Sequence, residues 1–513
     1  MRFDQNRVRS GLYAALTFCI ALAGLIYAVA RAHYLSITHD EALTVIRHAF
    51  ATVPQIITFY MPDPNNQLLN TLLIKGFIAI FGLAELPVRI PALLGYILYA
   101  SGVCGILKLF LKRQYLIPAM CIMIFQPFLM DFFSLARGYS LGIGFLMPAL
   151  YYIFRRAENV GERDGAVNTM LAVLMLTLSM LSNLAMIHVY FGMTAVLALL
   201  GITEGVHRLK IGRDMKTAVL LFVRNTCVPI SVSLVILSGI YAGPVIRMSR
   251  VKQLYVGGNN GFWADTVDSL VRCSLYGKAY GSINVIGLIK PAVISVFLIS
   301  LMIVCCKAVR NRKFSVLDRY FTACLSVIAL TVVTAVLGHV CFGVTYPMDR
   351  TGLYFIPLFL ILLILFLAEL EAFGGWLRAG SAAALGAIFV ITMVHFINCA
   401  NLKYCHLWKY DACTKEMMSD MVTIQRKGYF TTYPVRLGAY WIFEPSINFY
   451  YLKNKMAWMM PTNRKQGLGG RYDLYYLPEP DIMRELGLKG DLPKARAIKK
   501  YKVSNTYLGV RGG

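Results

Sequence analysis

The chain is short of charge. Asp, Glu, Lys and Arg make up 15% of its 513 residues, well under the ~25% of ordinary soluble domains. Acids are the scarcer sign, 26 Asp and Glu against 51 Lys and Arg. With 58% hydrophobic residues and a mean hydropathy of +0.60, this composition excludes a single soluble core and points to a chain that crosses a membrane many times. The sequence contains no Asn-x-Ser/Thr sequon, which turns the reading away from a eukaryotic secretory membrane and towards a bacterial inner membrane. Metal-ligand spacing is missing as well. The twelve cysteines are scattered, mostly inside apolar stretches, as buried small hydrophobes are. Cys405 and Cys413 lie in a hydrophilic tail and pair if that tail faces an oxidising space. His39, His48, His188, His339 and His395 share no helical spacing, so they read as polar contacts rather than ligands. His39, beside Asp40, is kept as a substrate contact. No nucleic-acid motif, repeat or low-complexity tract occurs, and no nucleic-acid partner is expected.

What the chain does have is apolar runs of spanning length. About eleven fit the length rule, with cores near 11–30, 88–110, 116–133, 139–154, 168–182, 184–201, 217–240, 283–306, 320–342, 352–371 and 380–398. The first follows Arg2, Arg7 and Arg9 and is long enough to span, so it reads as an uncleaved helix. With the N-terminus in the cytoplasm, the inner links hold Lys108, Lys112, Arg113, Arg155, Arg156, Arg163, Arg208, Lys210, Arg213, Lys216, Lys307, Arg310, Arg312, Lys313 and Arg319. The short outer links are far poorer in Lys and Arg, as the positive-inside rule requires. The 31–87 loop, the 241–282 loop and the tail after Asn401 then face outward. Residues 1–400 form the transmembrane unit and 401–513 an extracytoplasmic one, periplasmic or extracellular. The expected fold class is a polytopic α-helical membrane protein with a small C-terminal soluble α/β domain.

Within the outer loop, apolar residues recur at 42, 46, 49, 50, 53, 57 and 60, a helix with one greasy side. The 68–81 run is too short to span comfortably. Both fit helices lying at the outer membrane surface, with a short buried span as the alternative for the second. The tail has 19 Lys and Arg against 9 Asp and Glu, a basic excess suited to an anionic membrane surface or ligand. Its pattern predicts a helix over 415–427 and strands over 435–443, 473–477 and 500–510.

The chemistry-bearing residues cluster at the outer end. Asp40 and Glu41 follow the first span, and glycosyl transfer needs a carboxylate to take the proton of the incoming hydroxyl. Thr38-x-x-Glu41 also matches a helix capping box, and the two readings coexist if Glu41 caps while Asp40 projects. Asp63, between two prolines, is followed by Asn65 and Asn66, whose amides suit a hydroxyl-rich substrate; an ordinary polar turn is the alternative. Arg137 and Arg350 sit at outer junctions of spans, where a cation asks for a partner. A phosphate at headgroup level fits a guanidinium bidentately. The alternatives are snorkelling for Arg137 and a local pair with Asp349 for Arg350.

The order of these features carries a resemblance. Asp40-Glu41 after the first span, a Pro/Asn turn and a short amphipathic helix lead into Phe81-Gly82, Glu85, Arg89 and Pro91. Ala136-Arg137-Gly138-Tyr139 and Arg350, Tyr354 and Pro357 come later. The chain resembles the family-39-like glycosyltransferases of the GT-C fold, whose relatives include protein O-mannosyltransferases and the lipid A aminoarabinose transferase. It departs from them where Asp63-Pro64-Asn65-Asn66 stands in place of the frequent His-Pro-Pro or Lys-Pro-Pro. The resemblance implies a polyprenyl-phosphate-linked sugar donor, an inverting transfer on the extracytoplasmic side, and a glycan, lipid or protein acceptor among membrane lipids. In that picture Asp40 is the general base, and Glu41 or Asp63 orients the acceptor or supports the cationic sugar. Arg137 and Arg350, with Tyr139 and Tyr354, hold the donor phosphate. His39, Asn65, Asn66 and Arg89 contact substrate. No metal site is expected, although relatives with pyrophosphate donors use a divalent metal. The competing reading is a lipid-linked sugar transporter or flippase, in which the same acids and arginines serve headgroup passage.

Overall fold

Every expected run but one forms a helical span in the computed structural model, which describes residues 2–158, 164–212, 214–254, 256–310, 314–430, 433–485, 492–493 and 495–511, with backbone alone for 2–10, 485 and 511. Arg163, Arg213, Arg312 and Lys313 lie outside the described residues, as do the side chains of Arg2, Arg7 and Arg9. Among the described residues nine helices are long and apolar enough to cross a membrane: Gly11–Tyr34, Glu85–Phe110, Asp164–Ser182, Leu184–Lys210, Met215–Arg250, Val285–Val309, Val316–Phe342, Phe355–Ala372 and Gly375–Cys399. The expected 116–133 span is two helices, Arg113–Ile124 and Pro127–Phe133, bent by 68°. The break follows from Pro127. The residue before a proline is kept out of the helical region, and Gln126 is extended at φ −99°, ψ 114°.

The remaining run, Tyr139–Glu158, is enclosed in the bundle. Its contact with Glu85–Phe110 is backbone on backbone. A Cβ on Gly144 would lie 2.5 Å from Gly95 O, and one on Gly95 would lie 2.6 Å from the Ser140 carbonyl carbon. Small residues permit this approach in a membrane bundle. The protein is therefore a polytopic helical membrane protein with a small C-terminal domain.

Polar contacts sort to the two ends of the bundle. At one end Lys112 Nζ meets Glu371 Oε1 at 2.5 Å, Lys307 bridges Asp318 and Glu369, and Arg319 donates to Glu158 O at 2.9 Å. The opposite end carries the 31–87 loop and the tail. The loop holds the short helices His39–Leu43 and Val53–Ile57, joined through a wider helical turn at Thr44–Ala49. Leu68–Phe81 follows; it buries Leu68, Asn70, Thr71 and Ile74 and exposes Ile80 and Phe81. At the same end the buried Arg31 pairs with Asp131 and donates to Asn401 O (2.6 Å) and Tyr404 O (3.1 Å), tying the start of the tail to the bundle.

The tail contains the expected helix, Thr414–Arg426, a second helix, Glu444–Lys453, and a sheet ordered β1-β2-β4-β3. The strands are β1 (Leu437–Ala439), β2 (Leu474–Pro478), β3 (Ala495–Tyr501) and β4 (Thr506–Arg511). β1 pairs with β2 in parallel; the other pairings are antiparallel. Two strand expectations change. The 500–510 strand divides into a hairpin because the chain reverses at Asn505, whose φ of 48° suits a left-handed turn. The 435–443 strand pairs only over β1, since Trp441–Phe443 coils into the helix that begins at Glu444 with Pro445 in its first turn. All twelve cysteines are free thiols, and Cys405 Sγ lies 3.6 Å from Arg31 Nη2.

Candidate active site

The site grows from the end of the first span. Beyond Tyr34 the chain is extended through Thr38 and then turns into the His39–Leu43 helix. Glu41 fixes that start. Its Oε2 accepts the Thr38 N–H at 2.9 Å and the Thr38 hydroxyl at 3.0 Å, the back-reaching half of a capping box. The same carboxylate takes a bidentate pair from Arg89 (2.8 Å twice) and the Ala136 N–H at 2.6 Å. Arg89 also donates to Ala32 O, Leu35 O and Ser36 O at 2.8–3.1 Å. Both side chains are 0% exposed. Neither Glu41, expected to orient acceptor, nor Arg89, expected to contact substrate, has an exposed side chain here. Their hydrogen-bonding groups are spent on each other and on the backbone, and they act as a strut between the loop and the Glu85–Phe110 helix.

With Glu41 turned inward, its neighbour is turned the other way. Asp40 Oδ2 lies 3.4 Å from Arg137 Nη2 and 3.7 Å from Arg350 Nη2, and its side chain keeps 14% exposure. Burial pushes this carboxyl up, but Arg137 and then Arg350 outweigh it and hold it below the ordinary carboxylate range. Arg137, only 4% exposed, also donates through Nη1 to Asn65 Oδ1 (2.6 Å) and Asp40 O (3.3 Å). Snorkelling is excluded for it. Among the described residues Arg350 makes no ion pair with Asp349, although the Asp349 charge still acts on it; the Asp349 carboxylate accepts from Cys273 Sγ at 3.3 Å, and its N–H donates to Ser269 Oγ at 2.9 Å. The Arg350 guanidinium lies over the Trp408 ring, 5.3 Å from the centroid, a cation–π arrangement.

The other expected residues fall around this cluster. Asp63 accepts the Asn65 N–H at 2.9 Å and sits 3.7 Å from both Arg47 Nη1 and His48 Nε2. Burial raises its carboxyl, while His48, the Asn65 amide and Arg47 bring it below the ordinary range. Asp63 thus shapes the turn that presents Asn65. Asn66 points inward and straps the loop with its Nδ2 on Ile56 O at 2.8 Å, while its buried Oδ1 has no hydrogen-bond partner. Tyr139 is buried against Phe132 and near enough to Arg350 to act on its charge. Tyr354 is wholly buried and tilted on Phe355 at 4.7 Å, and its hydroxyl has no hydrogen-bond partner. His39 is held from both sides. Its N–H donates to Asp411 Oδ2 (2.7 Å), and its Nδ1 is 2.6 Å from Ile442 O.

Sequence reasoning missed the tail's share in this cluster. Trp408, Tyr410 and Asp411 come from the segment just past the last span. Trp408 stacks on Arg350, Tyr410 is close enough to Asp40 to feel its charge, and Asp411 grips His39. A signal existed: an acid set among aromatics, in a tail where basic residues outnumber acids about two to one.

No family model matches the chain, and no curated protein does. Among solved structures it is similar to the apo crystal structure of ArnT from Cupriavidus metallidurans, at 12% identity over 98% of this chain and 99% of that one, with a TM-score of 0.46. It is similar to the same protein bound to undecaprenyl phosphate at 11% identity over 98% and 99%, with a TM-score of 0.43. So distant a likeness says nothing of individual site residues.

Proposed function

We propose that this chain is a GT-C-type membrane glycosyltransferase that moves a hexosyl or pentosyl group from a polyprenyl-phosphate donor to an acceptor hydroxyl. The reaction takes place on the extracytoplasmic side of a bacterial inner membrane, with the N-terminus cytoplasmic and residues 401–513 outside. The observation that carries the reading is one carboxylate between two guanidinium groups at the mouth of the bundle. Arg137 adds a buried Nε with no protein partner, a donor open to an anion.

In this reading Arg137 and Arg350 take the donor phosphate, and Tyr139 and Asn65 steady them. The acceptor oxygen attacks the anomeric carbon on the face opposite the phosphate, so the bond from C1 to the phosphate oxygen breaks with inversion. Asp40 receives the acceptor proton. The electron pair leaves with the polyprenyl phosphate, whose growing charge meets two cations already in place. Donor binding also readies the base. Arginines shared with a phosphate attract Asp40 less, so its carboxylate becomes more basic when the donor is present. The prenyl tail adds affinity of about 0.8 kcal/mol for each methylene it buries.

Mass spectrometry of lipids that copurify with the protein tests the donor class. A polyprenyl phosphate or its sugar conjugate is the expected species, depleted in the Arg137→Ala/Arg350→Ala double variant. Translocation of labelled lipid without sugar transfer would replace this reading by the transporter.

A further inference from the structure

The residue before Asp40 is held by the tail through both its main chain and its ring. Asp411 is 1% exposed and uses its whole carboxylate. Oδ2 accepts the His39 N–H at 2.7 Å, and Oδ1 accepts the Ser446 hydroxyl at 2.7 Å and the Thr414 hydroxyl at 3.3 Å. Ser446 lies on the Glu444–Lys453 helix, which also reaches the loop through Tyr450, whose hydroxyl accepts the Ile37 N–H at 2.8 Å. All three groups on Asp411 are donors, so it is the ionised carboxylate that satisfies them; a protonated one brings a donor of its own into the set.

We propose that Asp411 is a positioning residue, whose ionised side chain fixes the His39–Asp40 turn so that Asp40 stands between Arg137 and Arg350. The tail thereby completes the site. This rests on the transferase reading of Asp40.

The groups facing Asp411 are Asp40 and His39 from the loop, Tyr410 and Thr414 from its own segment, Ser446 from the helix, and Tyr476 from β2. Burial first, with Asp40 adding, outweighs the Ser446, His39 and Thr414 donors and leaves the acid raised to about 7. A raised carboxyl stabilises the fold below the unfolded value and gives up that stability as pH climbs through about 7. Ionisation at this place therefore works against stability and in favour of the His39 grip. As pH falls through the same value, the carboxyl takes a proton and the grip loosens.

Two readouts on the full-length protein in nanodiscs test this. The first is hydrogen exchange of the 38–43 backbone, corrected for intrinsic rate, between pH 5 and 9. Wild type should lose protection as pH falls through the neutral range. Asp411→Asn should be roughly ten- to a hundredfold less protected at high pH, what a hydrogen bond to a charged group is worth, with no step near neutrality. Ser446→Ala, which keeps the carboxyl but removes one donor, should move the step to higher pH; it serves also if Asp411→Asn does not fold. Equal protection in wild type and both variants at every pH overturns the proposal. The second readout is turnover. Asp411→Asn should lower kcat and flatten its rise with pH, leaving KM for the lipid donor unchanged. An unaltered pH profile in Asp411→Asn also overturns it. If wild type transfers no sugar, the transferase reading fails, and the exchange experiment still decides whether Asp411 holds the turn.

Discussion

Two adjacent acids should respond to substitution in opposite ways. Glu41 and Arg89 are 0% exposed, joined by two 2.8 Å contacts, with Thr38 and Ala136 donating to the same carboxylate. Glu41→Gln leaves a buried guanidinium unpaired and turns an amide NH2 towards existing donors. Breaking one side of such a pair costs about 3–5 kcal/mol. Asp40 keeps 14% exposure and sits 3.4 and 3.7 Å from the two arginines, without the five hydrogen bonds that Glu41 accepts, so Asp40→Asn should cost clearly less stability than Glu41→Gln. Its loss should appear in transfer, roughly 10²–10⁴-fold for a missing general base. Thermal unfolding followed by tryptophan fluorescence, paired with turnover of labelled donor, separates the two. Glu41→Gln/Arg89→Met, which removes both charges, should recover part of the stability lost in the single variant. A Glu41→Gln protein as stable as wild type, or an Asp40→Asn protein that unfolds, would refute the division of labour between strut and base.

Other outcomes follow from the same geometry. Arg137→Ala should raise KM for a polyprenyl-phosphate sugar, and Arg137→Lys should rescue it poorly because an ammonium lacks the two-pronged donor set; unchanged donor affinity counts against the phosphate role. The Asp40 carboxyl, pushed up by burial but pulled further down by Arg137 and Arg350, lies below its ordinary value. Its contribution to stability is thus present above about pH 4 and is lost as pH falls through the lower folded value. The stability difference between wild type and Asp40→Asn should therefore hold at neutral pH and close in acid unfolding curves only below about pH 4. A Cβ at Gly138 would stand 1.9 Å from Ser182 O, so Gly138→Ala should shift the 137–139 corner and lower both folding yield and activity. Gly144→Leu should separate the Tyr139–Glu158 and Glu85–Phe110 helices and abolish a monodisperse elution peak, given the 2.5 Å approach to Gly95 O.

The spans were readable because a membrane demands long apolar runs with few charges, and those runs are local in sequence. The bend between Ile124 and Pro127 was not read, although Gln126-Pro127 signals it. The Thr38–Glu41 spacing carried its own answer for the cap, and the two side chains part in direction, Glu41 inward and Asp40 towards Arg137 and Arg350. The inward facing of Arg89 and Asn66 was not legible, because a polar residue type does not say which way it points. Their partners, Glu41 and Ile56 O, lie 48 and 10 residues away. For Trp408 and Asp411 the sequence offered only an acid among aromatics and not their partners: Asp411 reaches His39 across 372 residues and Trp408 lies under Arg350, and no periodicity records such contacts.

The most direct measurement is sugar transfer from a purified polyprenyl-phosphate donor in nanodiscs, with bound donor quantified in the same sample, for wild type and Asp40→Asn. The account predicts donor bound at least as well by Asp40→Asn as by wild type, with product formation cut roughly 10²–10⁴-fold in the variant. Product formed at the wild-type rate by Asp40→Asn would contradict it.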